Sequence, residues 1–157
     1  ILTAASRSPD HGKLEPWRFI VIEGAAMDRL AALAEARGAA LGYDAEKIDK
    51  GAAQFVSGDL AVVVIEVQKP SEKVPAIEQT YAVGGVCLAL LNAALASGWG
   101  ANWLSGWPSH DRAFVETGFN LAAEERVAGI IHIGTEKAAP PERPRPDIAA
   151  LTTWTNA

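Results

Sequence analysis

Arg7-Ser8-Pro9-Asp10-His11-Gly12-Lys13-Leu14-Glu15-Pro16-Trp17-Arg18-Phe19 is a polar loop pinned by two prolines and followed by the apolar run Ile20-Val21-Ile22. A proline fixes its own φ and steers the residue before it away from helix. Pro9 therefore stops any helix at Ser8, and Pro16 turns Glu15 toward an extended segment. Between them Asp10, His11, Gly12 and Lys13 favour turns and offer polar groups. Ile1 to Arg7 reads as a helix remnant, and Arg18 to Ile22 as a short β-branched and aromatic strand. A loop held at both ends that presents Arg7, His11 and Lys13 suits an anionic or heteroaromatic ligand. It equally suits a plain helix-to-strand connection, the commoner role of such loops.

Working outward, Met27, Leu30, Leu33 and Ala34 recur at helical spacing, with Gly38 as a stop. Asp44 is placed to cap a helix reaching about Gln54, in a segment that reads as surface decoration or as an excursion over a site. Leu60 to Val67 is nearly continuous in apolar character, which predicts a strand buried on both faces. A polar loop leads to a long helix, Ala76 to Ser97. From Ala82 this helix is apolar on every side, which demands a central position or a partner. Gly84 and Gly85 each cost about 1 kcal/mol of helix propensity relative to Ala, which close approach of another helix, a ligand or the core would offset.

Gly98 ends that helix, Ala101 to Ser105 reads as a strand, and Gly106-Trp107-Pro108 as a turn. Asp111 caps a brief helix containing Phe114 and Val115. Arg126 to Thr135 is the last clear strand, with Val127, Ile131 and Ile133 expected on one face and Ile130 and His132 on the other. The prolines of Ala138 to Asp147 predict an extended segment lying over the surface of its own subunit or a neighbour's, before a short closing helix from Asp147 to Trp154.

The chain has 157 residues, 49% of them apolar, enough for one domain with a real core. Its net charge of −5 and scattered basic residues argue against nucleic acid or an anionic membrane as the main partner. Cys87 is the one cysteine and lies in an apolar helical run, so it reads as a small buried hydrophobe, and a reducing, cytoplasmic setting fits. No secretory signal is recognisable, and the apolar stretch Ala82 to Ala96 is shorter than the ~20 residues of a membrane span. The chain opens on Ile1 in what reads as mid-helix, so residues before it are expected to be missing. There is no nucleophile elbow, P-loop or dinucleotide glycine motif, and His11, His110 and His132 show no metal-ligand spacing.

The loop Pro9-Asp10-His11-Gly12 followed by Pro16-Trp17-Arg18-Phe19-Ile20-Val21-Ile22-Glu23-Gly24 resembles the flavin-binding turn of the nitroreductase family, in particular its small single-domain NAD(P)H-dependent members. Four further segments agree in order: Lys73-Val74-Pro75 with Glu78-Gln79, Gly98 to Gly106, Ile133-Gly134-Thr135, and Pro144-Arg145-Pro146-Asp147. The resemblance implies an α+β, three-layer nitroreductase-like fold with a mixed β-sheet flanked by helices and a long buried central helix, which in the family lies in the dimer core. Residues 1–157 would form a single, N-terminally incomplete domain.

It also implies FMN as cofactor, NAD(P)H as hydride donor, a nitro compound, quinone or similar acceptor, and a homodimer with the flavin site at the interface. Arg7 and His11 fall on flavin-contacting positions, His11 from its own subunit or across the dimer. Leu104, Ser105 and Gly106 match the segment that lies along the flavin, and Arg143 and Arg145 are candidates for its phosphate. Ala94 to Trp99 matches a stretch that binds the nicotinamide nucleotide in related proteins. Each has a plain alternative: a turn histidine, a tight turn, solvated charges. Trp17, Trp99, Trp103 and Trp107 surround these segments as candidates to stack on flavin or substrate, with Trp17 and Trp103 reading better as core. The family's N-terminal Arg/Ser phosphate motif is absent from the sequence, which keeps open a non-redox or degenerate ligand-binding homologue of the same fold.

Overall fold

In the computed structural model, which describes residues 1–155, β2 (Leu60–Glu66) runs through the middle of a four-stranded sheet. Leu-Ala-Val-Val-Val-Ile-Glu offers apolar groups to both pleat faces, and every residue from Ala61 to Glu66 is buried. β1 (Trp17–Glu23) pairs antiparallel along one edge of it and β4 (Arg126–Gly134) along the other. β3 (Gly100–Leu104) adds to the far side of β4, giving the order β1-β2-β4-β3.

On one face Ala61, Val63, Ile65 and Ile130 meet α2 (Ala25–Ala40), α3 (Ala45–Val56) and α5 (Arg112–Phe119). On the other, Val62, Val64, Ile131 and Ile133 meet α4 (Ala76–Ala96) and Ala5 of the short α1 (Leu2–Ala5). The architecture is thus α+β in three layers. The sheet, however, is not mixed: each of its pairings among the described residues is antiparallel. The connections explain why. Two helices, α2 and α3, return the chain to the end where β1 stopped, so β2 runs against β1. The single helix α4 sets β3 parallel to β2, but β4 is inserted between them and opposes both.

A bulge corrects the expected faces of β4. Val64 pairs with Gly129 and Ile65 with Val127, leaving Ala128 as the extra residue. Val127 therefore joins Ile130 under α5, while Ile131 and Ile133 face α4. Gly38 is not a stop either. α2 continues to Ala40, and a Cβ at Gly38 would lie 2.7 Å from Ile48 Cγ1, so this glycine is where α2 and α3 touch. Asp44 caps α3 by accepting from the Lys47 N–H at 2.8 Å. Phe55 of α3 stacks on Phe114 of α5 at 5.6 Å between centroids, and Phe114 meets Phe119 edge-on at 5.7 Å. Such pairs add roughly 0.5–1.5 kcal/mol beyond the area they bury.

The long helix is buried on one side only. Val83, Val86, Cys87, Leu90 and Ala94 face the sheet, and burial pushes the Cys87 thiol up to about 12, which leaves it inert. Tyr81, Leu88 and Leu95 are 70%, 51% and 50% exposed. α4 is long and apolar enough to cross a membrane by length and composition, yet its buried side is a layer of the core. The tail after β4 buries nothing on its own subunit: every residue from Gly134 to Thr155 is exposed, including α6 (Ile148–Leu151), which Asp147 caps. The expectation that it lies over its own subunit is not met. Its prolines withhold amide donors, and α6 buries none of its residues.

Candidate functional site

A cleft of about 410 Å³ opens between α3 and the segment that follows β3. Lys47, Lys50, Gly51 and Gln54 recur at i, i+3, i+4 and i+7, so α3 turns one stripe toward the cleft while Ile48, Ala52 and Phe55 face inward. Leu104, Ser105, Gly106 and Trp107 form the opposite wall. The volume lies within the ~300–1,000 Å³ of small-molecule sites.

Two glycines allow the walls to approach. A Cβ at Gly51 would sit 2.3 Å from Trp107 Nε1, so the indole lies where no other side chain at 51 permits it. Its ring N–H donates to the Lys47 carbonyl at 3.0 Å, and Tyr43 packs edge-on against the same ring at 5.4 Å. Gly106 has φ −159°, extended backbone that any residue adopts, so its need for glycine is steric: a Cβ would meet Gln54 Nε2 at 2.5 Å. Gln54 Oε1 is buried with no donor among the described residues, an unmet acceptor on the cleft wall. Ser105 Oγ lies 3.4 Å from His110 Nε2, a long contact. The lining carries two lysines and no carboxylate. Lys47 Nζ sits 3.3 Å over the Tyr43 ring, and Lys50 pairs with the exposed Glu46 at 2.6 Å.

Two bidentate ion pairs tie neighbouring elements of the fold together. Arg37 of α2 grips Asp111, the cap of α5, through two bonds of 2.9 and 3.0 Å, and this guanidinium holds the Asp111 carboxyl below the usual range. Arg18 of β1 does the same to Glu125 at 2.6 Å twice, and Glu125 is lowered likewise.

The sequence-derived residues fall in three places. Leu104, Ser105 and Gly106 line the cleft together. Arg7 and His11 lie against the first half of α4, where His11 Nδ1 is 2.7 Å from Glu78 Oε2 and a Cβ on Gly85 would rest 3.9 Å from Ser8. That loop is strained: Lys13 and Glu15 hold φ of +55° and +49°, left-handed values that ordinary side chains adopt at a cost. The Asp10 carboxylate, accepting from the Glu15 N–H at 2.7 Å, helps to hold them there. Arg143 and Arg145 stand on the exposed tail, where Arg145 donates to the Arg143 carbonyl and pairs with Glu142. Neither Arg7, His11, Arg143 nor Arg145 lines the cleft.

In the Ala94–Trp99 stretch, Ala94 is buried and Gly98 turns at φ +85°, letting the Trp99 amide reach the Ala94 carbonyl at 3.1 Å. Trp17 packs against the α4 side of the core. Trp103 does not behave as core: it is 38% exposed and lies across Gly129, where a Cβ would meet its Nε1 at 2.2 Å.

The residues that sequence reasoning missed are Lys47, Lys50 and Gln54. The α3 helix itself was readable from Asp44, but nothing in its pattern says that this stripe faces the Leu104–Trp107 turn, 50 residues and more downstream. A second cleft of about 560 Å³, lined by Glu66, Thr80, Ser109, Arg112 and Arg126 among others, lies by the first half of α4. Its central carboxylate, Glu66, is already matched by Gln68, Thr80 and Arg126 at 2.6, 2.6 and 2.9 Å.

The model of the nitroreductase family matches residues 1–135. YdjA of Escherichia coli (strain K12), named for NAD(P)H nitroreductase activity, is 33% identical over 135 residues, 86% of this chain and 73% of that one. A Haemophilus influenzae protein named for the same activity is 34% identical over 141 residues, 88% and 76% of the two chains. Among solved structures, a nitroreductase-like family protein from Bacillus cereus superposes with a TM-score of 0.82 at 23% identity, covering 99% of this chain and 82% of the other. The FMN-dependent nitroreductase NfnB from Mycobacterium smegmatis, solved with NADPH, gives 0.74 at 15% identity, with 98% and 85% covered. At those identities the two structures speak for the fold; the family match and the two sequence relatives speak for descent. The chain belongs to the nitroreductase family.

Proposed function

We propose that the chain acts as one domain of an FMN-dependent oxidoreductase, working as a homodimer in a reducing, cytoplasmic setting. When bound, FMN supplies the redox chemistry, taking hydride from NAD(P)H and passing two electrons to a nitro compound, quinone or similar acceptor. The observation that carries this reading is the cleft in which the Leu104-Ser105-Gly106 turn meets the unpaired Gln54 carbonyl, in a chain of this family.

The residues fit a flat heteroaromatic ring. Leu104 and Trp107 offer apolar surface, and the space that a Cβ on Gly106 would fill stays open to Gln54. Gln54 Oε1, a buried acceptor without a donor among the described residues, suits a ring N–H. Arg7 and His11 would reach the cofactor from their own protomer or across the dimer, and Arg143 and Arg145 would serve its phosphate from the tail, which this chain leaves free of its own surface. The half-exposed apolar side of α4 supports the dimer, since Tyr81, Leu88 and Leu95 form a surface that a second copy would cover.

The test is the visible spectrum of the purified protein, with melting measured with and without added FMN. Flavin absorbance, or a melting temperature that rises with FMN, is the expected result. A colourless protein whose melting ignores FMN overturns the reading. Gln54→Ala should weaken FMN about tenfold, the loss of one well-placed hydrogen bond in a desolvated site.

A further inference from the structure

The Lys47 and Lys50 ammonium groups on the cleft wall make no ion pair with the core, and the placement of Lys47 runs against local helix energetics. Lys47 stands in the first turn of α3, where the helix macrodipole disfavours a cation. It makes no ion pair among the described residues and is held instead over the Tyr43 ring at 3.3 Å. Its backbone is fixed from across the cleft, because the Trp107 indole donates to the Lys47 carbonyl. Lys50 follows one turn later on the same stripe, and its Glu46 partner does not line the cleft. That ion pair is 73% and 79% exposed on its two sides, which makes it weak and easily exchanged. In a chain of net charge −5, the cleft lining therefore carries two cations and no anion.

We propose that this wall selects redox partners carrying an anionic group, a carboxylate or phosphate held by Lys47 and Lys50, while Leu104 and Trp107 on the opposite wall are left to the flavin. The inference rests on the proposed flavin site, because it names the class of molecule that this same cleft admits. The anionic group has two sources. It belongs either to the electron acceptor or to the nicotinamide nucleotide, whose extra phosphate distinguishes NADPH from NADH. Either way the lysines bind and orient; they exchange neither electrons nor protons with the ligand.

The experiment measures equilibrium binding by calorimetry on flavin-loaded protein, with two matched pairs of ligands: 4-nitrobenzoate against 4-nitrobenzamide, and NADP+ against NAD+. The same titrations are repeated with Lys47→Gln/Lys50→Gln and at raised salt. The member with the extra anionic group, 4-nitrobenzoate or NADP+, should bind about tenfold more tightly in at least one pair, as two partly screened charge contacts allow. That preference should vanish in the double variant and shrink with salt, while the neutral 4-nitrobenzamide binds as before. A preference confined to the nitrobenzoate pair assigns the anion to the acceptor; one confined to the nucleotides assigns it to the extra phosphate. Equal binding within both pairs, or a preference that survives in the double variant, overturns the proposal. The flavin absorbance of each sample reads the parent hypothesis separately, so a yellow protein without charge preference sinks only this inference.

Discussion

α3 and α4 cover opposite faces of the same sheet and handle their apolar residues in opposite ways. α3 is amphipathic: Ala52 and Phe55 go to the core, while the Lys47–Gln54 stripe lines a cleft, so within this one chain its apolar side is satisfied. α4 is largely apolar around its circumference from Ala82 onward, and the fold buries only one side of it. Tyr81, Leu88 and Leu95 stay exposed on its other side. The difference separates what stabilises the protomer from what assembles it. The first rests on interlocked aromatics and paired charges around α2, α3 and α5. The second, in the proposed dimer, would rest on α4 and on the exposed tail.

Substitutions on the two sides should therefore fail differently. The largest effect belongs to the packed side. Phe114 is fully buried between Phe55, Phe119 and Trp107, so Phe114→Ala should cost about 3–5 kcal/mol in chemical denaturation. A loss under about 1 kcal/mol would mean that the aromatic cluster is not the core it looks like.

On the other side, Leu88→Glu changes a half-exposed position that an isolated protomer should tolerate within about 0.5 kcal/mol. In the assembled protein it should weaken dimerisation by about 2 kcal/mol or more, read by sedimentation across concentrations. An unchanged dimer would remove α4 from the interface and with it the contrast between the helices.

Gly51→Ala tests the join between α3 and the turn. Its Cβ would collide with the Trp107 ring, so a loss of about 1–3 kcal/mol is expected, with FMN binding weakened as the walls part. If melting and FMN affinity both match the parent protein, the cleft is looser than its contacts imply.

The smallest effect is a pH slope. His132 sits on β4 with Nε2 unpartnered among the described residues, and burial lowers its pKa below the ordinary 6.5. The unfolded chain then takes up a proton before the folded one, so stability falls as pH drops below about 6.5. Glu125 and Asp111, held low by Arg18 and Arg37, add their own loss only below the carboxylate range. His132→Gln should flatten the slope between about pH 7.5 and 5, measured by denaturant midpoint. A slope of the same size in the variant would assign it elsewhere.

Much of the architecture was written locally. The apolar run of β2, the Asp44, Asp111 and Asp147 caps and the proline-bracketed loop each carry their own signal, because hydrogen-bonding periodicity and capping depend on near neighbours. The five ordered segments, Arg7–Phe19 foremost, were enough to point to the family and its cofactor. Tertiary structure alone decided the rest. The Ala128 bulge reversed the facing of Val127, the insertion of β4 made the sheet antiparallel, and the meeting of α3 with the Leu104–Trp107 turn built the cleft and brought in Lys47, Lys50 and Gln54. These outcomes depend on which distant segments come into contact, and no pattern within a segment encodes the register or the neighbour it will meet.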